Sequence, residues 1–151
     1  MKALIVYYTR TGNTAIVAKA IATTLGAEVM HADSVRAEQL QGWDYIGIGS
    51  GVYWLRHDYR IMSLASKIPR DSKVFTFTTS GLKNWFAVMF YQFTIRTRLR
   101  RMGLQVVGQW HCPGHDLHPL VKPFNLNKGR PHASDLESAA IFARKLCIQR
   151  G

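Results

Sequence analysis

Apolar stretches and polar breaks alternate along this chain in a regular rhythm. Residues 2–8 are a near-continuous apolar run, the pattern of a strand buried on both faces of a parallel sheet. Residues 14–25 then turn to helical spacing, with Ile16, Val17, Ala20, Ile21, Ala22 and Leu25 on one side and Gly26 as the stop. Residues 28–32 read as a short strand, and Asp33-Ser34 as the cap of a brief helix that ends near Gln41-Gly42. Residues 45–49 (Tyr-Ile-Gly-Ile-Gly) predict a third strand whose glycines admit a close neighbour. A loop over 50–58 leads to a helix from Asp58 or Tyr59 to about Lys67. The β-branched and aromatic residues 73–78 predict a fourth strand. A long helix over 85–102 stops at Gly103, a fifth strand covers 105–110, and an irregular loop spans 112–131. Ser134, with Glu137 three residues on, predicts a capping box for the last helix. Five alternations without a repeat or linker predict one doubly wound α/β domain over residues 1–151.

The junction between the first strand and the first helix carries the clearest chemistry. Thr9, Arg10, Thr11, Gly12, Asn13 and Thr14 follow the apolar run directly. A helix start exposes unpaired N–H groups and the positive end of the dipole, so it attracts anions. Three hydroxyls and one amide add donors, and Gly12 permits positive φ or a close backbone approach. No Gly-Lys-Ser/Thr follows, which excludes a nucleoside triphosphatase loop. A single glycine excludes the dinucleotide turn. A hydroxyl-rich loop without lysine suits one terminal phosphate monoester.

Tyr7, Thr9, Gly12 and Thr14 also fill, in order, the phosphate-binding signature of the flavodoxin family: aromatic, any, Ser/Thr, two of any, small, any, Thr. The order of elements resembles that family over essentially the whole chain. The resemblance implies a five-stranded parallel sheet of order 2-1-3-4-5 with helices on both faces. Ligands in such sheets bind beyond the carboxyl ends of the strands at the switch point. Three loops, starting at Thr9, Ser50 and Thr78, are then expected to converge.

The second loop contributes Ser50, Gly51, Val52, Tyr53 and Trp54, with two aromatics on which a flat ring can stack. The third contributes Thr78, Thr79, Ser80 and Gly81, whose N–H groups and hydroxyls suit the edge of a heterocycle. The resemblance implies FMN, with its phosphate on Thr9–Thr14 and its ring between the second and third loops. It also resembles a subset of small prokaryotic flavodoxin-like proteins in the loop after the fifth strand, where C-x-G-x-D leads to N-x-G-x-P. Here Cys112, Gly114 and Asp116 precede Asn127, Gly129 and Pro131, and a lid or a partner contact fits that length.

That loop packs His111, Cys112, His115, Asp116 and His118 into eight residues, but the spacing fits no closed zinc pattern and no metal is expected. Cys112-Pro113-Gly114-His115 lacks the second cysteine that dithiol chemistry needs. Two lone cysteines and no leader-like or membrane-length apolar run lead to the expectation of a reduced, cytoplasmic protein.

Charge is what departs from the family, whose classical members are acidic. The chain carries a net charge of +11. Residues 1–58 hold five Lys/Arg and five Asp/Glu, whereas residues 59–130 hold twelve Lys/Arg and only Asp71 and Asp116. Arg56, His57 and Lys83 in the later loops are cations that would raise the potential of a nearby flavin. Such a field favours an acidic redox partner. No nucleic-acid motif accompanies it.

Residues 85–102 are apolar nearly all round before Arg96, Arg98, Arg100 and Arg101, which suits a helix buried between sheet and neighbours with a basic last turn. A less favoured reading lays this helix on a membrane surface. The function expected is FMN-dependent electron transfer without a catalytic acid or base. The alternative is a small flavin oxidoreductase for a quinone- or porphyrin-like substrate, resembling the membrane-peripheral protoporphyrinogen oxidases, although the chain shows no clear sign of their extra loop segment.

Overall fold

A computed structural model describes residues 2–53, 56–81, 84–114 and 129–148. Its elements run β1 (Ala3–Tyr8), α1 (Asn13–Leu25), β2 (Glu28–His31), β3 (Tyr45–Tyr53), β4 (Arg56–His57), α2 (Tyr59–Ala65), β5 (Lys73–Ser80), α3 (Trp85–Arg101), β6 (Gln105–Pro113) and α4 (Ala133–Ile148). Five parallel strands stand in the order β2-β1-β3-β5-β6, which is the expected 2-1-3-4-5 arrangement. The sixth, β4, folds back antiparallel on the end of β3 and was not anticipated, because residues 50–58 read as loop. Two short 3-10 turns, Ala32–Ser34 and Ala37–Leu40, replace the brief helix expected there.

Alternation along the strands builds two cores. Leu4, Val6, Ile46, Ile48, Val74 and Val106 face α2 and α3. Ala3, Ile5, Tyr45, Phe75, Phe77 and Trp110 face α1 and α4. On the second face the Phe75 and Phe77 rings lie over Gly47 and Gly49 of the neighbouring strand. A methyl group at Gly49 would sit 2.8 Å from Phe77 Cδ2 and nearer still to the far edge of the ring. The glycines of β3 are therefore the space that two core phenylalanines occupy.

Three helices differ in detail from their sequence patterns. Ile16 is exposed, and α1 packs instead through Val17, Ala18, Ile21, Ala22 and Leu25. The last helix starts at Ala133, ahead of the expected cap Ser134. Its end is tied by Asp135, which accepts from the His132 N–H at 2.7 Å and from Arg130 Nη1 at 2.6 Å. The inward side of α3 is buried through Tyr91, Ile95 and Leu99, but its outward aromatics are exposed. The expectation of a helix enclosed on all sides is corrected here, since no described element lies over that outward face.

Candidate functional site

The strands run further than their apolar runs. β3 continues through Ser50, Gly51, Val52 and Tyr53, and β5 through Thr79 and Ser80. Ladder bonds thus carry the polar residues to a common level. Tyr8 pairs with Ser50, Ser50 with Thr78, and Thr78 with His111. One residue on, Gly51 pairs with Thr79 and Thr79 with Cys112. The turn after β1 opens at this edge, so the three loops expected to converge do so.

The first turn has the geometry its residues suggested. Gly12 caps α1 with φ of 85°, a left-handed conformation open to glycine without strain. Its N–H donates to Thr9 Oγ1 at 2.9 Å, which leaves the Thr9 O–H to donate elsewhere. The Ile16 N–H closes on the Gly12 carbonyl at 3.2 Å, so the N–H groups of residues 13–15 precede the first intrahelical bond. Thr9, Thr11 and Gly12 are half-buried and Arg10 is exposed.

Thr14 is held more deeply. Its Oγ1 lies 2.9 Å from Thr79 Oγ1, and both residues are buried. One of the two O–H groups is consumed by the other, leaving a single proton for a further acceptor. The Gly114 N–H donates to the Ser80 carbonyl at 2.8 Å, and a Cβ at Gly114 would come within 3.0 Å of Asn13 Nδ2. The start of α1 and the ends of β5 and β6 thereby form one packed unit.

The second segment is organised by Asp58, which the sequence marked only as a helix start. Its carboxylate accepts from the Arg60 N–H at 3.0 Å and meets Arg60 Nη1 at 3.2 Å and Arg10 Nη2 at 3.7 Å. Its own N–H donates to Ser50 Oγ at 3.1 Å, while Ser50 donates to the Gly51 carbonyl at 2.6 Å. Ser50 is thus engaged inside the protein, and Arg10 of the first turn is tied to the second segment. The side chain of Tyr53 and all of Trp54 lie outside the described residues, as do Lys83, His115, Asp116, His118 and Asn127.

On the α3 side of the sheet, Thr78 Oγ1 lies 3.0 Å from His111 Nδ1 and Ser80 Oγ 3.4 Å from His111 Nε2. Burial pushes the His111 imidazole down to about 4. His57, which sequence reading counted among the cations, is corrected by its surroundings. Burial, with a smaller contribution from Arg98, lowers it to about 3, so it is neutral. Burial also keeps the Tyr91 phenol protonated, and that phenol is hydrogen-bonded to His57 Nε2. Burial pushes the Cys112 thiol up to about 12. His57, Tyr91, His111 and Cys112 are thus all neutral near pH 7. The His111 partners lie on β5, 33 and 31 residues away, and the His57 partner lies on α3, 34 residues away, a proximity that periodicity does not reveal.

The chain matches the family model described as a flavodoxin domain over residues 4–98, from β1 through most of α3. It is 34% identical over 149 residues to an uncharacterised protein of Methanocaldococcus jannaschii, covering 97% of this chain and 98% of that one. Among solved structures, a flavodoxin from the domain Archaea superposes with a TM-score of 0.71 at 18% identity, covering 99% of this chain and 98% of that one. Oxidised flavodoxin 1 from Bacillus cereus superposes with a TM-score of 0.70 at 17% identity over the whole of both chains. With its sheet order, its first turn and a family match over more than half its length, the chain belongs to the flavodoxin-domain family.

Proposed function

We propose that the protein binds FMN at the carboxyl edge of the sheet and serves as an electron carrier. The observation that carries this reading is the turn between β1 and α1. It combines a left-handed Gly12, a Thr9 hydroxyl oriented by the Gly12 N–H, and helix N–H groups ahead of the first intrahelical bond. A Cβ added at Gly12 would meet nothing within 4 Å, so the turn opens onto space. Donors without a lysine, with Arg10 nearby, fit a phosphate monoester.

Bound FMN would supply one- and two-electron redox chemistry that no side chain provides. The chain would bind the phosphate through Thr9, Thr11 and the start of α1, and orient the ring through the backbone of Gly51, Val52, Ser80 and Gly81. His57, His111 and Cys112 are neutral and held by burial, which supports a carrier over an acid–base enzyme. The test is titration of the apoprotein with FMN and with riboflavin. FMN should bind far more tightly, and Thr9→Ala with Thr14→Ala should erase most of the difference. A charge-assisted hydrogen bond contributes about 1.5–3 kcal/mol. Equal affinity for the two flavins would overturn the phosphate assignment.

A further inference from the structure

α3 is apolar on two sides. Tyr91, Ile95 and Leu99 pack on the sheet. Facing away from it, Trp85, Phe86, Met89, Phe90 and Phe93 are 63, 74, 47, 65 and 67% exposed. Their spacing puts all five on one stripe, along the N-terminal half of a helix about 25 Å long. Arg96 and Arg100 lie seven residues beyond Met89 and Phe93, so the same stripe continues as cations, with Arg101 beside it. No Asp or Glu occurs in residues 85–101. The aromatic end is the end nearest the site, because only four residues separate Ser80 of β5 from Trp85.

We propose that this outward face of α3 is the docking surface for an acidic redox protein. The partner presents an apolar centre to the aromatic half and carboxylates to the arginine half. That the partner carries a redox centre rests on the electron-carrier reading; that it is an acidic protein rests on α3 alone. Exposed apolar patches of this kind mark interaction sites. Aromatics, Met and Arg are the residues enriched in protein interfaces, whereas Lys is depleted, and α3 has four arginines and no lysine. A second copy of the chain fits poorly. Each copy carries +11, and α3 offers no carboxylate for the other's arginines. A bilayer also fits less well, because the described cations of α3 cluster at one end instead of flanking the stripe along its length.

The experiment measures binding of an acidic two-cluster iron–sulfur ferredoxin by calorimetry, to both apoprotein and FMN-loaded protein. Salt is varied from 0.02 to 0.2 M, across which the Debye length falls to below about 10 Å. Phe90→Ser with Phe93→Ser, and separately Arg96→Glu with Arg100→Glu, should each weaken binding by about tenfold or more. Ile141→Ser and Arg144→Glu on α4, both at exposed positions, serve as controls and should leave it unchanged. Circular dichroism verifies folding, and the charge pair keeps the test open if the aromatic pair destabilises the chain.

No ferredoxin binding, or α3 variants that behave like the controls, would overturn the proposal. So would α3-dependent flotation with phosphatidylglycerol vesicles without ferredoxin binding, or a dimer that Phe90→Ser with Phe93→Ser dissociates. Failure of the flavin reading shows separately, as loss of FMN binding while the apoprotein still binds the ferredoxin.

Discussion

Thr14 and Thr79 stand 65 residues apart in sequence, yet their hydroxyl oxygens lie 2.9 Å apart and buried. The contact joins the first turn of α1 to the end of β5, so the turn after β1 is braced by the strand beside it. Replacing either threonine by valine keeps the volume but strands the other hydroxyl, at a cost of about 1–3 kcal/mol. Replacing both removes the mismatch. The double variant should therefore be less destabilised than the sum of the singles, and a urea-denaturation cycle that shows simple additivity would count against the bond.

Gly49 is where the sheet cannot accept a side chain. Phe77 already occupies the volume above it. Gly49→Ala should cost about 3 kcal/mol through overpacking. Adding Phe77→Leu, which trims the ring, should recover part of that loss. A melting temperature unchanged by Gly49→Ala would show that the ring can move aside.

Much of the fold is legible in the residues because burial on both sheet faces writes uninterrupted apolar runs. The five parallel strands and four helices follow from that. The runs say little about where strands stop. Ser50, Thr79 and Ser80 are polar yet lie in ladders, because their hydroxyls find partners inside the protein. The β3–β4 hairpin is hidden for the same reason: His57 reads as a loop cation but is neutralised by burial under Tyr91. The outward aromatics of α3 mislead in the opposite direction, since hydropathy alone cannot separate a buried stripe from a docking face. Gly12 and the threonines around it were readable because the turn is local, and local geometry is what short motifs encode.

Asp58 shows how a site can hinge on one acid. It caps α2, meets Arg60 and Arg10, and lies beside Ser50. Asp58→Asn keeps an oxygen for the Arg60 N–H and should cost about 1 kcal/mol, mainly from lost charge. Asp58→Ala removes the cap as well, adding about 0.5–2 kcal/mol. The order Ala worse than Asn, read from thermal melts, checks the capping role. Asn as damaging as Ala would instead assign the whole effect to the ion pairs.

The last expectation concerns acid. His57 and His111 have folded values of about 3 and about 4, against 6.5 for an unperturbed imidazole. Both are depressed by burial, so the folded state favours the neutral ring. Between the folded and unfolded values the unfolded chain binds more protons, and protonation pulls the equilibrium toward it. Their contribution is therefore fully present above about pH 6.5, declines from there towards pH 4 for His111 and pH 3 for His57, and levels off below those values. Each pH unit across such a gap carries about 1.4 kcal/mol per group. Carboxylates add to acid unfolding, so the histidines are isolated by difference. His111→Gln, which can still bond to Thr78 or Ser80, should flatten the fall in stability between pH 6.5 and 4 relative to the unmodified protein. His57→Gln should extend the same flattening to lower pH. Denaturation curves at pH 7.5, 6, 5, 4 and 3 give the comparison. Parallel profiles for the His111→Gln variant and the unmodified protein would mean that His111 reaches water and titrates as a surface group.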